Sequence, residues 1–347
     1  MGTLLSYSGL TTKIRAMESR LMKESQFREI SEMLTVPQVV AYLKQQPGFR
    51  RLWAEVDEGK LRRNEVEHLL RRTIYQDFAR IYHFANPEQR KFLDLYFKRY
   101  EIVAMKQCMN NIFDHRDVVL DLSLFSEFFG RHSKLNLEKL MHSSTMDEFI
   151  ENLRGSEYYS LLSQMKSSTV HPLIFDYGMA LDQHYFTQIW KLKNKLFKGL
   201  DLEEVTMAYG RKFDMLNLNW IYRSKKYYQM TPNQIYPLLI PVRYKLRKDE
   251  VKRMVEAESI DELKNLLYQS YYAKFRDEMD PESLEEAYVY ILRNILEKEA
   301  RKHPHSVAVM YSYLYHKEHE INRLTTAVEC VRYGIRPEET IQYVMKN

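Results

Sequence analysis

Two groups of histidines and acids have spacings that occur in metal sites. Glu65 and His68 form a Glu-x-x-His pair, which helical di-iron proteins use in duplicate together with two further glutamates. No other histidine has a glutamate three residues before it, so the second pair is missing. In "HKEHE", His316, His319 and Glu320 lie near one face of a predicted helix. We interpret both groups as polar helix surface and predict no metal site.

Other chemistry that leaves a motif in a sequence is missing as well. Phosphate-binding loops need closely spaced glycines, whereas the ten glycines of the chain stand singly. There is no His-Glu-x-x-His zinc motif and no Gly-x-Ser-x-Gly nucleophile elbow. Cys108 and Cys330 are too few for a disulfide framework, and without a secretory signal they indicate a reducing cytoplasm. We therefore predict no catalytic residue, no cofactor and no enzymatic activity.

The composition favours an all-α fold. Glycine and proline, which mark turns, account for only 10 residues each of 347. A hydrophobic fraction of 45% supplies enough core for several domains, and a charged fraction of 29% is typical of a globular protein in water. No segment approaches about 18 consecutive uncharged apolar residues, so we expect no membrane-spanning helix.

Positive charge is concentrated in the middle of the chain. The formal net charge is +5, but residues 190–253 alone hold 15 Lys and Arg against 6 Asp and Glu. Such a cluster indicates an acidic partner, or else the solvated faces of ordinary helices. "RSKKYY" within it also suits RNA or an anionic membrane, and a helical RNA-binding scaffold is the alternative hypothesis. Because Lys and Arg also stabilise helix C-termini, we expect no nucleic acid as a partner.

A short helical pattern occurs three times. The copies are "TVPQVVAYLKQQPGF" at 35–49, "TMDEFIENLRGSEYY" at 145–159 and "SIDELKNLLYQSYY" at 259–272. Each opens on Ser or Thr, which cap helix N-termini, and continues with apolar residues at i, i+3 and i+7 on one helical face. An aromatic residue follows the last leucine of each copy by five or six positions. The pattern predicts three short helices that bury the same face.

A second block recurs farther along in each copy. It reads "YEIVAM" at 100–105, "FDMLNL" at 213–218 and "HEINRL" at 319–324. Each has a ring, an acid, an aliphatic residue and another aliphatic residue three positions later. Two blocks in the same order, with a period of roughly 110 residues, indicate three homologous helical units.

These blocks place the domain boundaries. We predict a first repeat with an N-terminal helix at 1–113, a second at 114–235 and a third at 236–347. The proline-rich "YQMTPNQIYPLLIP" is expected to lead into the third repeat. Leu10, Ile14, Met17 and Leu21 have helical spacing, which predicts an amphipathic helix before the first repeat.

The repeats and both ends of the chain together resemble one family, the C subunits of bacterial and archaeal V/A-type ATPases, which correspond to the d subunit of the eukaryotic V-ATPase. "YSGLTTKIRAMESRLM" is similar to the opening signature of the family, and "HEINRLTTAVECVRYGIRPEETIQYV" to its closing block. "FDMLNLNWIYRSKKYY" looks like its second-repeat core helix. Two positions depart from the pattern: Thr11 stands where Asn is usual, and Arg323 stands in the column that Asn217 fills in the second repeat.

The resemblance implies an all-α, funnel-shaped protein with three homologous helical domains around a pseudo-threefold axis. It implies a non-catalytic central-stalk subunit that links the membrane proteolipid rotor ring to the central shaft subunits. Such a subunit transmits torque between ATP hydrolysis or synthesis and proton or sodium transport. It is cytoplasmic and peripheral to the membrane, not inserted. The candidate partner-interface residues are Arg15, Arg20, Arg223, Lys225 and Lys226.

Overall fold

The fold is entirely helical in the part of the chain that the structure describes. This structure is a computed structural model, and it describes residues 2–59, 61, 63–114, 128–168, 173–275 and 284–346. Every regular element in these ranges is a helix, which confirms the predicted all-α class. No described helix is long and apolar enough to cross a membrane.

The contacts divide the chain into two compact units, and the α-helices fall within them. Unit 1 combines Met1–Asn86 with Lys274–Asn347, and unit 2 is Pro87–Ala273. In chain order the helices are α1 Gly2–Glu18, α2 Glu24–Ser31, α3 Val36–Gln45, α4 Arg50–Trp53, α5 Arg63–Phe84, α6 Pro87–Asp114, α7 Leu137–Met141, α8 Met146–Asn152, α9 Glu157–Ser168, α10 Ile174–Leu196, α11 Gly199–Lys226, α12 Pro232–Ile235, α13 Lys248–Glu256, α14 Ile260–Leu267, α15 Leu284–Lys302, α16 Val307–Arg332 and α17 Pro337–Lys346.

Helix α16 is the centre of unit 1. It packs against α1, α2, α3, α5, α15 and α17. Because neighbours cover it from several sides, its first half is buried nearly all round, as Met310 and Leu314 illustrate. Helix α1 turns Leu10, Ile14 and Met17 into this core, which confirms the predicted amphipathic helix for these three residues. The helix ends at Glu18, so Leu21 lies beyond it and is half-buried.

Unit 2 is built around α6 and α11, each 28 residues long, with α10 packed against both. Aromatic rings fill the space beside these helices. The ring centroid of Phe97 on α6 lies 5.1 Å from that of Phe128 and 5.2 Å from that of Phe129. On α11, the ring of Phe213 lies 5.1 Å from that of Phe186. Tilted contacts of this kind add attraction to the burial of the rings.

The three short helices of the first repeat block begin where the sequence predicts. Thr145 and Ser259 cap α8 and α14, because each side-chain oxygen accepts the N–H of the third residue that follows. Helix α3 begins directly after Thr35. The predicted face is half-buried at its first position and buried at the next two, which are Val39, Leu43, Phe149, Leu153, Leu263 and Leu267.

The proline-rich connector follows the end of α11. Gln229 has a φ of 48°, and the N–H of Met230 donates to the carbonyl of Ser224 at 3.0 Å, which closes the helix. The connector then forms α12 and a 3-10 turn at Tyr236–Leu238. The division into three domains, at 1–113, 114–235 and 236–347, stays a prediction.

Helix α11 lies very close to the segment that follows the connector. A Cβ atom built on Gly210 would lie 2.4 Å from Cγ of Tyr244, far inside normal contact. Glycine is therefore needed at this position. The close approach brings the backbone beside Tyr244 within reach of Asp214, which lies one helical turn after Gly210.

Replacement of Gly210 by alanine tests this contact. Alanine is better than glycine in a helix interior by about 1 kcal/mol, but overpacking costs about 1–3 kcal/mol, so we expect G210A to destabilise unit 2. Gly9 in α1 is the matched control, because no atom lies within 4 Å of its added Cβ, and G9A should stabilise the protein. Both variants are compared with the parent by urea denaturation. A gain at both glycines would show that Tyr244 moves aside without cost.

Candidate functional site

The two candidate interface residues near the N-terminus differ in their surroundings. Arg15 Nη1 pairs with Glu18 Oε2 at 2.9 Å, and Nη2 donates to the carbonyl of Ala300 at 3.4 Å. Arg15 is thus engaged within unit 1, although its side chain remains largely exposed. Arg20 lies exposed beyond the end of α1. The role of both residues at a partner interface stays a prediction.

At the basic end of α11, Lys225 has an intramolecular role. Its Nζ donates to the carbonyl of Ala257 at 2.7 Å, and Ala257 is the C-terminal cap of α13. A cation at this position complements the negative end of the α13 dipole. Burial lowers the pKa of Lys225. Arg223, two residues earlier, is half-buried.

Lys226, in contrast, lies exposed among tyrosines. Its Nζ lies 5.1 Å from the ring centroid of Tyr222 and 5.3 Å from that of Tyr227. Tyr227 and Tyr228 are 58% and 64% exposed. A cation over aromatic faces, beside exposed rings, is a surface suited to an acidic and partly apolar partner.

The acid of the second repeat block is buried in each copy, and it accepts hydrogen bonds from a segment that is distant in the sequence. We refer to each such site as a junction. In junction 1, Glu101 on α6 accepts the hydroxyl of Tyr158 at 2.8 Å and the hydroxyl of Ser133. The Ser133 oxygen also accepts the N–H of Leu135 at 3.0 Å, just before α7 begins. Burial raises the pKa of Glu101 and that of Tyr158.

In junction 2, Asp214 on α11 is fully buried and accepts four hydrogen bonds. Three come from the backbone N–H groups of Tyr244 at 3.0 Å, Lys245 at 2.6 Å and Leu246 at 3.1 Å. The fourth comes from the hydroxyl of Tyr272 at 3.0 Å. Burial raises the pKa of Asp214, while these donors oppose the rise. The carboxylate thereby fixes the backbone that enters α13.

In junction 3, Glu320 on α16 accepts the N–H of Met22 at 2.7 Å and pairs with Lys317. The held segment again lies just before a short helix, here α2. The buried ring of the first copy is Phe49, which follows Leu43 by six positions where Tyr158 and Tyr272 follow their leucines by five, and it has no hydroxyl. Instead, Lys317 Nζ lies 4.6 Å from the Phe49 ring centroid. Junction 3 therefore joins the C-terminal repeat to the N-terminal segment of the chain.

A serine positions the ring in junctions 1 and 2. Ser156 Oγ accepts the N–H of Tyr158 at 3.3 Å, and Ser270 Oγ accepts that of Tyr272 at 3.2 Å. Each serine also donates to a leucine carbonyl three residues earlier, at 2.7 Å. In the first copy the residue two positions before the ring of Phe49 is Pro47, which has no hydroxyl. The turn before the ring is therefore the same in junctions 1 and 2, and it is different in junction 3.

A basic residue precedes each junction acid by three positions, and the sequence analysis missed it. These residues are Lys98, Arg211 and Lys317, in "KRYE", "RKFD" and "KEHE". Lys98 pairs with Glu157, and Arg211 Nη2 lies 3.5 Å from the hydroxyl of Tyr271. Glu157 and Tyr271 each directly precede the junction tyrosine. Extending the alignment of the second block by two residues toward the N-terminus would have revealed this shared basic position.

The repeat position at which Arg323 departs from the family pattern also forms hydrogen bonds to the backbone. Asn217 donates to the carbonyl of Ile240 at 3.1 Å and accepts its N–H at 2.8 Å. Arg323 stands at the equivalent place, and its Nε donates to the carbonyl of Val344 at 2.9 Å. Arginine therefore performs the carbonyl-binding half of the asparagine contact, because its longer side chain still reaches the following segment.

The interpretation of "HKEHE" as polar helix surface is wrong for Lys317 and Glu320, which are buried within α16. The polar groups of this segment also do not converge on one point. His316 Nε2 lies 3.0 Å from Glu297 Oε1. The ring of His319 stacks on that of Tyr315, with centroids 6.4 Å apart and planes 10° apart. Glu320 belongs to junction 3. Burial, with nearby cations adding to it, lowers the pKa of His319 to about 4.

Comparison with known proteins gives matches that extend over nearly the whole chain. A family model described as ATP synthase (C/AC39) subunit matches residues 10–343. The C subunit of the A-type ATP synthase of Methanosarcina acetivorans is 22% identical over 327 residues, covering 92% of this chain and 87% of that protein. The same subunit of Pyrococcus abyssi is 22% identical over 348 residues, covering 97% and 90%. The matched range includes all three junctions.

Removal of the junction hydroxyls tests the buried acids. Tyr158→Phe and Tyr272→Phe should each lower the free energy of unfolding by about 1–3 kcal/mol, because a buried carboxylate loses a donor. Tyr159→Phe is the matched control, since the Tyr159 hydroxyl bonds to the exposed Glu151 at 3.1 Å. We expect it to cost less than about 0.5 kcal/mol in urea denaturation. Equal losses at Tyr158 and Tyr159 would contradict the assignment.

The depressed pKa of His319 makes stability depend on pH. The pKa is about 4 in the folded protein and about 6.5 in an unfolded chain, so between these values only the unfolded state binds the proton. The contribution of His319 is complete above pH 6.5 and is lost as pH falls toward 4, by roughly 3 kcal/mol. His319→Phe keeps the ring stack and should flatten this part of the pH profile in denaturant titrations. Parallel profiles for parent and variant would exclude the effect.

Proposed function

The chain belongs to the ATP synthase (C/AC39) subunit family, and on this premise we propose that it is the non-catalytic central-stalk subunit of a rotary V/A-type ATPase. It links the membrane proteolipid rotor ring to the central shaft subunits and transmits torque between ATP hydrolysis or synthesis and proton or sodium transport. It is cytoplasmic and attaches to the membrane through the complex, without insertion. The family match over residues 10–343 carries the proposal.

The family resemblance is the basis on which we further propose a funnel of three homologous helical domains around a pseudo-threefold axis. In junctions 1 and 2, the long helix of one repeat holds the first block of the next repeat. In junction 3, the long helix of the last repeat holds the N-terminal segment that leads to the first block. Each copy thus bonds to a segment of the next copy, and the last copy bonds to a segment of the first, as expected of three homologous repeats.

A rotor adapter must also be stiff, and the junctions provide stiffness at the level of single side chains. Helices α6, α11 and α16 contain 28, 28 and 26 residues, and each carries one junction acid near its middle. A buried carboxylate that loses its donors leaves an uncompensated charge, which costs several kcal/mol. Sliding of a long helix past the segment that it holds is therefore strongly opposed, and a force applied to one element is passed to the next.

We assign one partner contact to the exposed end of α11. Lys226, Tyr227 and Tyr228 are all exposed at this end. Tyrosine is enriched in protein interfaces, and exposed ammonium groups favour an acidic partner and speed its association. Lys225 contributes less to this surface because its ammonium group is bonded to Ala257. Arg223 lies within one turn of Lys226 on the same helix.

The alternative of an RNA-binding scaffold has weaker support. RNA binding needs cations that face solvent along the strand. Within residues 190–253, Lys193 and Lys212 are buried, and Lys225 is bonded to a backbone carbonyl. Part of the positive charge that suggested a nucleic-acid partner therefore serves the interior of unit 2.

Binding to the detergent-solubilised rotor ring of the same assembly tests the function and the surface together. The parent chain should bind the immobilised ring, and a Lys226→Glu/Tyr227→Ser variant should bind at least about tenfold more weakly, as loss of an interface hot spot would cause. A parallel titration with single-stranded RNA at two salt concentrations measures the alternative, since RNA binding would weaken steeply with salt.

Lys198→Glu is the matched control. Lys198 precedes the first residue of α11, so it lies at the opposite end of the same helix, about 42 Å from Lys226. This variant should bind the ring like the parent. No binding of the parent to the ring would contradict the proposed function. Parent-like binding by the Lys226/Tyr227 variant would contradict only the assigned surface.

A further inference from the structure

Junction 3 differs from the other two in how far apart its halves lie along the chain. The acid and the ring of junction 1 are separated by 57 positions, and those of junction 2 by 58. Glu320 and Met22 are separated by 298 positions. Closing a longer loop costs more chain entropy, so the covalent chain contributes less to junction 3 than to the others. Non-covalent contacts must make up the difference.

Junction 3 also lacks a hydroxyl donor for its acid. Tyr158 and Tyr272 donate to the acids of junctions 1 and 2, whereas Phe49, the buried ring of the first copy, cannot donate. The second donor to Glu320 is Lys317 Nζ. Lys317 is 2% exposed and lies against the Phe49 ring. Lys317 therefore supplies the side-chain donor that a tyrosine hydroxyl supplies in junctions 1 and 2.

The charge of Lys317 is shared with a second acid. Its Nζ lies 4.0 Å from Oδ2 of Asp77 on α5. Asp77 accepts the hydroxyl of Tyr313 at 2.6 Å and pairs with Arg80 at 2.9 Å. The two negative charges of Asp77 and Glu320 are thus matched by the two positive charges of Lys317 and Arg80. Lys317 is the group that lies near both acids.

We propose that Asp77, Lys317 and Glu320 form an ionic clasp that holds the N-terminal segment, residues 19–53, on α16. Lys317 replaces the tyrosine hydroxyl of junctions 1 and 2 and adds a link to α5. The clasp thereby closes the two ends of the chain into one unit. The inference concerns contacts within unit 1 alone, so it does not rest on the proposed function.

Hydrogen exchange of the full-length chain tests the clasp, with Lys317→Met as the first variant. Methionine keeps the buried stem but removes the ammonium group, which leaves two buried acids without their shared cation. Amides of residues 19–53 should exchange on the order of a hundredfold faster than in the parent. Amides of unit 2 should keep their rates. Lys98→Met, at the equivalent position of junction 1, should leave residues 19–53 unchanged.

The second test restores the hydroxyl. In Phe49→Tyr/Lys317→Met, the new phenol should donate to Glu320 as Tyr158 donates to Glu101, and it should recover about tenfold of the lost protection. Should Lys317→Met fail to fold, Glu320→Gln keeps an acceptor for Met22 but removes the charge, and it should accelerate the same amides by a smaller factor.

Three results would overturn the clasp. The first is unchanged protection of residues 19–53 in Lys317→Met and in Glu320→Gln. The second is an acceleration of similar size in unit 2, which would show general destabilisation. The third is exchange in the double variant that is as fast as in Lys317→Met, which would show that the lysine does not stand in for a hydroxyl.

Discussion

A carboxylate can be buried in a helical core only where donors replace the water that it loses. Glu101, Asp214 and Glu320 meet this constraint, and each lies at the equivalent position near the middle of a long helix. The segments that supply the donors must therefore run beside these positions. Each acid takes at least one donor from the stretch that precedes a short helix. Each therefore determines where that stretch must run. The hydrophobic effect supplies most of the stability but has no direction, whereas these hydrogen bonds specify position.

One result of this arrangement is that the packing unit is not the sequence repeat. The first block of a copy packs with the long helix of the preceding copy, so structural neighbours come from different repeats. Unit 1 shows this most clearly, because it takes its short helices from one end of the chain and its long helix from the other. An alignment of repeats correctly pairs equivalent residues, but it does not state which residues touch.

The sequence predicted the parts of the fold that depend on local pattern. Capping by Thr145 and Ser259, burial of Leu153 and Leu267, and the helix at α11 all follow from spacing and side-chain type. The acids were aligned correctly, but their partners were not predictable, because a hydrogen bond across 57 or 298 positions depends on tertiary structure.

The surroundings of the candidate interface residues were likewise not predictable from the sequence. A lysine near a helix end can face solvent, cap a neighbouring helix or lie over a ring, and the sequence is the same in all three cases. Lys225 bonds to Ala257 and Lys226 lies beside Tyr222, although the two residues are adjacent. The two lysines have different roles because the C-terminal end of α13 lies within reach of Lys225. Family resemblance, which draws on the whole chain, accordingly identified the family, whereas no single cation could.

The division of unit 1 between the two chain ends has a consequence for synthesis on the ribosome. Met22 is made 298 residues before its partner Glu320, which at roughly 5–20 residues per second is a delay of about 15–60 s. During that time Leu10 and Ile14 have no α16 to pack against, while unit 2 can already fold. Helices α1 and α2 thus leave the ribosome well before α16, and they reach their final contacts only after α16 has been made.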